Sequence, residues 1–475
     1  MREPGDRTPP FDPLAAGVAL AEVAWAPLAG APALRLLQAR RLARLLRAAQ
    51  HASPLYRTLL RGLDPDRDDV LQLLPTLPVL RKATLMAQFE GWVGDPALRL
   101  ADLRRFTADP ARIGDAYLGR YLVWESSGSR GEPGIFVQDA AALAVYDALE
   151  ALRRPWSPGR LLDPWYAGEV IALVGATGGH FASVVSTTRL RRLNPAMSQR
   201  LHEVSFLQPP EALAARLNAL QPTLIGSYPT AAMVLAELAE AGRLTVHPRE
   251  IRTGGETLTA PMRQRLQRVF GCPVIDSYGA SEFFTIACEC PQGRLHLNSD
   301  WVILEPVDAH GRPVPAGTSG ASVLLTNLAN TVQPLIRYDL GDRVRLPVER
   351  CACGSPLPLL EVAGRSDDLL HLPAARGAGL VAIAPLALCT VLEDDAGLFD
   401  FRLEQLAPAE LLLSVPGHGA AATAALERGQ RALAAYFDRQ GIARVRLQRR
   451  SGRPGSRGRG GKLQRVVALA ADPPA

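Results

Sequence analysis

Three side chains in two short polar segments are of types that bind a nucleotide. Tyr278 and Glu282 lie in Ser277-Tyr-Gly-Ala-Ser-Glu282, and Asp342 closes Ile336-Arg-Tyr-Asp-Leu-Gly-Asp342. An aromatic ring stacks on a purine base, and a carboxylate holds Mg²⁺ between phosphates. A second carboxylate can accept hydrogen bonds from both hydroxyls of a ribose. The alternative for each is structural, namely a buried tyrosine at a strand end, a surface glutamate and a turn aspartate.

A loop rich in serine and glycine lies upstream, Ser126-Ser-Gly-Ser-Arg-Gly-Glu-Pro133, between two β-like runs. Its glycines let the backbone turn with N–H groups pointing inward, and its hydroxyls add donors, so the loop can cradle phosphate oxygens. It is not a Walker loop, because no Gly-Lys-Ser/Thr opens a helix, and it lacks the dinucleotide fingerprint. A plain hairpin turn between two strands remains the alternative.

The chain has only two lysines, Lys82 and Lys462, and its other Lys/Arg positions are all arginine. Lys462 stands in Gly461-Lys-Leu-Gln-Arg465, directly after an arginine- and glycine-rich loop at 449–461. A chain that avoids lysine but keeps one here indicates a use for a compact ammonium that a planar guanidinium cannot replace.

Four of the possible metal ligands form a second group. Cys290, His296, Cys351 and Cys353 offer three thiolates and an imidazole, the ligand set of a closed tetrahedral zinc site. Such a zinc would tie two loops together in a structural role, and Cys288 is an alternative ligand. Unrelated reduced cysteines remain the other interpretation, and Cys272 and Cys389 lie in apolar runs typical of a core.

The elements that must position these residues alternate between strand and helix patterns, which predicts an α/β fold. In the central part we expect strands at 121–124, 170–174, 223–225, 274–275 and 322–326. The helices expected there are at 139–153, 210–220, 230–241 and 260–270. The C-terminal part predicts a small α+β unit with strands near 399–403, 410–414 and 444–447 and a helix at 420–439.

At 475 residues the chain predicts more than one domain. We expect a helical N-terminal lead-in at 1–105, a large layered α/β domain at 106–364 and a small mobile α+β domain at 365–475. The segment Leu14 to Leu34 predicts two helices with a turn rather than a membrane span, since it carries Glu22 and two prolines. The basic residues of Leu36 to Arg47 predict a solvated outer helix face.

Bulk composition narrows the functional class. A hydrophobic content of 47% with 21% charged residues is typical of a globular protein. The net charge of +6 suits an anionic substrate. A nucleic-acid partner is not expected, because only 6% of the residues are aromatic and the arginines are widely spread. The N-terminus lacks the layout of a secretory signal, so we expect reduced cysteines and a cytoplasmic protein.

Taken together in their order along the chain, these motifs resemble the phenylacetate–coenzyme A ligase branch of the acyl-adenylate-forming (AMP-binding) superfamily. The resemblance begins at Ala52-Ser-Pro-Leu-Tyr-Arg57 and Leu77-Pro-Val-Leu-Arg-Lys82. It continues through Ile225-Gly-Ser-Tyr-Pro-Thr230, Gly254-Gly-Glu256 and the two segments that hold Tyr278 and Asp342, and ends at Gly364-Arg-Ser-Asp-Asp368. It covers most of the chain, and the combination is more specific than any single motif.

The resemblance implies an ATP-dependent carboxylate ligase that forms an acyl-adenylate of an aromatic or other small acid and then a coenzyme A thioester. It implies ATP, Mg²⁺ and coenzyme A as cofactors, Lys462 and Glu282 as catalytic residues with Glu282 on Mg²⁺, and Asp367 as the hinge between domains. The implied nucleotide-binding residues are Ser126, Ser127, Gly128, Ser129, Arg130, Gly131, Gly254, Gly255, Glu256, Tyr278, Gly279, Asp342 and Arg365.

Two departures leave other functions open. The phosphate loop has Arg130 and Glu132 where the family usually has a hydroxyl residue and a lysine, and Leu369 to Leu380 fits the family's turn after the hinge poorly. The acyl acceptor could therefore be a carrier-protein thiol, an amine or a hydroxyl. A non-catalytic, zinc-stabilised binding protein is the alternative from another class, and a homodimer and an acyl-carrier partner also remain open.

Overall fold

The structure, a computed structural model, describes residues 8–126, 133–154, 168–362, 369–375, 379–383, 385–398, 401–452 and 465–468. Its helices are α1 Pro13–Trp25, α2 Gly30–Ala52, α3 Pro54–Leu59, α4 Val70–Leu73, α5 Lys82–Ala87, α6 Phe89–Trp92, α7 Leu100–Thr107, α8 Ala140–Leu152, α9 Ala182–Leu193, α10 Pro195–Ser198, α11 Pro210–Leu220, α12 Pro229–Glu240, α13 Ala260–Phe270, α14 Pro385–Asp394 and α15 Ala420–Arg439, with 3₁₀ turns at Ala26–Leu28, Leu74–Thr76 and Pro110–Arg112.

The strands complete the element list. They are β1 Leu122–Glu125, β2 Ile135–Gln138, β3 Ile171–Gly175, β4 Leu201–Ser205, β5 Leu224–Ser227, β6 Glu250–Gly254, β7 Val274–Ala280, β8 Phe283–Glu289, β9 Leu295–Leu297, β10 Val302–Val307, β11 Ser322–Asn327, β12 Tyr338–Asp339, β13 Val344–Arg345, β14 Leu359–Val362, β15 Leu370–Pro373, β16 Leu380–Ile383, β17 Arg402–Ala407, β18 Glu410–Val415, β19 Arg446–Ser451 and β20 Val466–Val467.

A nine-stranded sheet dominates the described residues, with the order β13-β14-β9-β8-β7-β6-β5-β3-β4. The strands from β4 to β7 are parallel to their neighbours, whereas β8, β9, β14 and β13 are antiparallel. Parallel strands need helical crossovers, and α11, α12 and α13 occupy those positions in the chain. The predicted α/β fold is confirmed, and α11 has the bounds expected from the sequence.

The N-terminal helices pack onto this framework instead of standing apart. The predicted helix pair with a turn is confirmed by α1 and α2, and Asp12 caps α1 by accepting hydrogen bonds from two backbone N–H groups. One residue of the expected solvated face is buried: Arg41 is bonded to Glu22, and its guanidinium lies 3.4 Å from the centroid of the Trp301 ring. The lead-in is thereby joined to the loop at Asp300, whose carbonyl also accepts from Arg41.

The C-terminal part is an α+β unit, as the sequence predicts. Its described strands form a two-stranded sheet of β15 and β16 and a four-stranded sheet of order β19-β18-β17-β20, and α14 and α15 pack on the larger sheet. One continuous hydrophobic cluster contains side chains of this unit and of the parallel part of the large sheet, including Leu372 and Leu235. The predicted domain boundaries at 105 and 364 stay predictions. No helix of the described residues is both long enough and apolar enough to span a bilayer.

Candidate functional site

Three parallel strands deliver polar residues to one edge of the large sheet. Ser227 at the end of β5 is in register with Thr253 of β6, and Gly254 is in register with Ser277 of β7. Ligands in such sheets bind beyond the carboxyl ends of the strands. The segments at 254–256 and 277–282 therefore meet at the edge where a ligand is expected.

The Gly254-Gly-Glu256 segment has a defined local shape. Gly255 has a φ of +79°, and a Cβ there would lie 2.8 Å from Cε1 of Tyr228, so both conformation and space require glycine. The Glu256 carboxylate accepts hydrogen bonds from Thr230 N at 3.0 Å and from Thr230 Oγ1 at 2.8 Å. Because these donors belong to the first turn of α12, Glu256 fixes the segment to a helix N-terminus.

Two predicted nucleotide ligands from separate motifs contact each other directly. The Tyr278 hydroxyl donates to Asp342 Oδ2 at 2.6 Å. Burial and the negative charge of Glu282 raise the pKa of Tyr278, so the phenol stays neutral and is a donor. The strand of Tyr278 bulges here, and a Cβ on Gly279 would lie 2.1 Å from the Phe284 carbonyl oxygen, which only glycine allows.

Glu282 is a buried carboxylate beside this pair, with 8% of its surface exposed. Burial raises the pKa of Glu282, and a hydrogen bond from Tyr338 and the positive charge of Lys82 oppose that shift. Its backbone carbonyl accepts from Asn327 Nδ2 at 3.0 Å, which holds the turn in place. A carboxylate that has lost its water is stabilised by a cation, so the residue fits a Mg²⁺ ligand.

The segment that carries Asp342 is fastened to the N-terminal lead-in. Leu80 N donates to the Arg337 carbonyl at 3.0 Å, and Asp339 N donates to the Leu80 carbonyl at 2.9 Å. Arg337 has a φ of +50°, an uncommon conformation for a non-glycine residue. Its buried guanidinium pairs with Glu305 at 3.2 Å and also donates to the Leu77 carbonyl, so surrounding contacts hold the strained backbone.

This attachment brings Lys82 into the site, a residue whose position the sequence did not predict. Its side-chain stem packs against Gly134 at the end of the phosphate loop, since a Cβ on Gly134 would lie 3.1 Å from Lys82 Cδ. Its positive charge lowers the pKa of the Glu282 carboxyl. Two sequence features could have drawn attention to it, the rarity of lysine in the chain and its place at the end of Leu77-Pro-Val-Leu-Arg-Lys82.

The phosphate loop is described only at its ends. Ser126 N donates to the Gly134 carbonyl at 2.9 Å, and Gly134 N donates to Ser126 Oγ at 2.9 Å, which closes the base of the loop. Seven predicted site residues lie outside the described residues, namely Ser127, Gly128, Ser129, Arg130, Gly131, Arg365 and Lys462. The predicted hinge residue Asp367 lies outside them as well.

The four predicted zinc ligands come together from the β8–β9 hairpin and from the loop before β14. The ligand atoms of Cys290, His296, Cys351 and Cys353 all lie within 4.8 Å of one another. The Sγ atoms of Cys290 and Cys351 are 3.8 Å apart, and Cys353 Sγ is 3.3 Å from His296 Nε2. Thiolates around a tetrahedral zinc at about 2.3 Å would be about 3.8 Å apart, so the donor set fits this ion.

The surroundings of this cluster also suit a metal ligand. His296 Nδ1 is 2.8 Å from the Leu357 carbonyl oxygen, which orients the ring with Nε2 toward the thiols. Burial lowers the pKa of His296, which favours the neutral imidazole that binds metals. Cys288 does not belong to the group of ligand atoms, and burial raises the pKa of its thiol to about 12. Cys272 and Cys389 are buried in the core, as expected.

Comparison with known proteins identifies the relatives of this arrangement. No protein-family model matches the chain. A phenylacetate-coenzyme A ligase of Thermus thermophilus is 28% identical over 354 residues, which cover 71% of this chain and 71% of that protein. A phenylacetate-coenzyme A ligase of Escherichia coli is 32% identical over 122 residues, covering 25% of this chain and 27% of that protein.

A solved structure of 2-hydroxyisobutyryl-CoA ligase, in complex with 2-HIB-AMP and CoA in the thioesterification state, has the same fold. It covers 91% of this chain and 89% of its own, with a TM-score of 0.56 and 21% identity. The chain is thus similar in sequence to phenylacetate-coenzyme A ligases and shares the fold of an acyl-CoA ligase. The fold expected from the motifs and their similarity to phenylacetate-coenzyme A ligases are therefore confirmed, while the roles of individual site residues stay predictions.

Proposed function

We propose that this protein is an AMP-forming acid–thiol ligase, which converts a small carboxylic acid and ATP to an acyl-adenylate and pyrophosphate and then forms an acyl-coenzyme A thioester. The observation that carries the proposal is the 2.6 Å contact between Tyr278 and Asp342 beside the buried Glu282. Three residues expected to hold base, ribose and metal, from two motifs more than 50 positions apart, meet at one sheet edge. The similarity to named ligases supports the same reaction.

In the first step a carboxylate oxygen of the acid attacks the α-phosphorus of ATP, and pyrophosphate leaves. A Mg²⁺ held by Glu282 would neutralise phosphate charge. Lys82, whose stem lies against Gly134 and whose charge acts on Glu282, would add a positive charge near the loop end. Lys462 would bridge the carboxylate and the α-phosphate, where a preorganised cation is worth on the order of 10²- to 10³-fold in rate.

In the second step a thiol attacks the acyl carbonyl and AMP leaves. Coenzyme A is the acceptor we propose, since the solved relative described above holds CoA together with an acyl-AMP. A carrier-protein thiol, an amine or a hydroxyl remains the second candidate because Leu369 to Leu380 departs from the family pattern. The similarity to ligases does not favour a non-catalytic binding protein.

We further propose that Cys290, His296, Cys351 and Cys353 hold one structural zinc. The four ligands leave no open position for a substrate, which is the mark of a structural rather than a catalytic zinc site. The cluster joins the turn after β8 to the loop before β14, and β14 leads toward the predicted hinge. The zinc would therefore stiffen the part of the large domain from which the small domain moves.

The cytoplasm is the proposed compartment. Pyrophosphate release across a panel of aromatic and short aliphatic acids, with and without coenzyme A, tests the proposal. We expect at least one acid to support release, and coenzyme A to raise turnover by removing the bound adenylate. Release that coenzyme A does not accelerate would favour the second candidate, and no release with any acid would refute ligation.

A further inference from the structure

We propose that the exposed side of the N-terminal helix pair, α1 and α2, binds an anionic lipid surface. The inference is independent of the proposed ligation, because it uses no residue of the candidate nucleotide site or of the cysteine cluster. No helix of the described residues can span a bilayer, so the contact is with the membrane surface alone.

The first observation is an exposed apolar face on α1. Seven of the twelve large apolar side chains that are exposed among the described residues lie at positions 11–36. Leu14, Val18 and Trp25 recur at helical spacing on one face of α1, and 81%, 58% and 51% of their surfaces are exposed. Leu28, in the 3₁₀ turn that follows, is 83% exposed. Such a concentration of exposed apolar side chains marks an interaction surface.

Charged groups are almost absent from this part of the chain. Asp12 and Glu22 are the only ionisable residues at positions 8–34, and apart from Glu22 every residue of α1 is apolar. Asp12 accepts hydrogen bonds from the backbone at the start of α1, and Glu22 is bonded to the buried Arg41. Both carboxylates are therefore engaged within the protein, and the exposed face of α1 is left to apolar side chains.

The second observation is the positive charge of the helix that follows. No acidic residue occurs between Glu22 and Asp64, whereas seven arginines do. The exposed arginines of this interval are Arg35, Arg40, Arg44, Arg47, Arg57 and Arg61. Those at 40, 44 and 47 share one face of α2 with Leu36, which is also exposed. An apolar helix face next to an arginine-rich one is typical of segments that lie on anionic membranes.

The turn between the two helices is anchored to the rest of the protein. Ala26 and Leu34 are buried there and pack against Leu357. Leu28 and Leu36, in contrast, are exposed on either side of the same turn. The apolar residues of α1 and the basic residues of α2 thus meet at a turn that is fixed from within, and neither needs to be released from the core to reach a lipid surface.

A second copy of the chain is the competing occupant of this surface. In a two-fold dimer each surface faces the same surface of its partner. The arginine-rich faces of two α2 helices would then approach each other, with no acidic residue from positions 23–63 to compensate them. Like charges brought together oppose association, whereas anionic headgroups neutralise the arginines. The charge pattern therefore favours lipid.

The test measures flotation of the full-length protein with vesicles of phosphatidylcholine, alone or mixed with phosphatidylglycerol. The apolar variant combines Val18→Ser with Leu28→Ser. Its matched control combines Val348→Ser with Leu380→Ser, which changes two side chains that are 74% and 59% exposed elsewhere on the protein. Circular dichroism checks that each variant is folded.

A second pair of variants tests the charge. The basic variant combines Arg40→Gln with Arg44→Gln. Its matched control combines Arg249→Gln with Arg446→Gln, which removes two charges from side chains that are 72% and 78% exposed. This pair keeps the proposal testable if the apolar variant does not fold. Sedimentation velocity without vesicles reports any self-association.

We expect the wild-type protein to float with the mixed vesicles, to float much less with phosphatidylcholine alone, and to bind more weakly as salt is added. The apolar variant should bind more weakly by on the order of tenfold or more, because two side chains no longer enter the interface. The basic variant should also lose on the order of tenfold, from roughly fivefold per arginine. Both control variants should bind like the wild type.

Three results would overturn the proposal. They are no flotation with either type of vesicle, equal flotation with both types, and losses in the control variants as large as those in the test variants. A wild-type dimer that the apolar variant dissociates, without flotation of either protein, would show that a second copy covers this surface.

Discussion

Replacing Cys351 and Cys353 by serine together should empty the zinc site and lower the stability of the protein. The two thiols lie 3.8 Å from Cys290 Sγ and 3.3 Å from His296 Nε2, respectively, so the double change removes half of a complete ligand set. At a free-zinc concentration of about 100 times the dissociation constant, binding contributes about 2.7 kcal/mol. With about 2–4 °C per kcal/mol for domains of this size class, Tm should fall by about 5–10 °C.

Two assays check this expectation. Elemental analysis of protein purified without added zinc should give about one zinc per chain, and thermal melts should show the lower Tm. Cys288→Ala is the control, because that buried thiol lies outside the group of ligand atoms, and zinc content should stay near one. Zinc absent from the wild-type protein, or retained in full by the double variant, would refute the reasoning.

Three further predictions concern single side chains. Lys82→Ala should reduce ATP–pyrophosphate exchange by on the order of 10²-fold. The control Arg81→Ala removes an exposed partner of Asp339 and should leave exchange unchanged. Equal exchange rates in the two variants would exclude Lys82 from the site. Asp276 has a pKa raised by burial to about 7, so its charge opposes folding increasingly as pH rises from about 4 to 8. Asp276→Asn should therefore add up to about 4 kcal/mol of stability at pH 8 and little at pH 4, measured by urea unfolding. Lys462→Ala should abolish most exchange with an unchanged Tm, and Lys462→Arg should not restore it; a normal rate in either would make the lysine a bystander.

The fold could be predicted from the sequence because its elements are locally encoded. The alternation of strand and helix patterns needs only neighbouring residues, and α11 and α13 both have a proline in the first helical turn, where its fixed φ suits the helix. The cysteine cluster was also predictable, since two Cys-x-Cys pairs restrict where thiols can meet. Arg41 was harder, because its burial depends on a loop 259 residues away.

The features of the site that the sequence did not predict depend on contacts between distant segments. Nothing in the sequence near Lys82 indicates that Leu80 will pair with the backbone at Arg337, and this pairing puts the lysine beside the phosphate loop. The bond from Tyr278 to Asp342 likewise joins residues 64 positions apart. Glu393, the partner of Arg465, lies 72 positions away in α14. Each residue type was visible, but its neighbours are a product of the tertiary fold.

The transfer of oxygen from acid to nucleotide tests the central claim most directly. An acid that supports pyrophosphate release is labelled with ¹⁸O in both carboxylate positions and converted with ATP and coenzyme A. Attack of the carboxylate on the α-phosphorus, followed by cleavage at the acyl carbon, predicts AMP that carries one ¹⁸O per turnover. Unlabelled AMP, or ¹⁸O in inorganic phosphate with ADP as the product, would contradict adenylation.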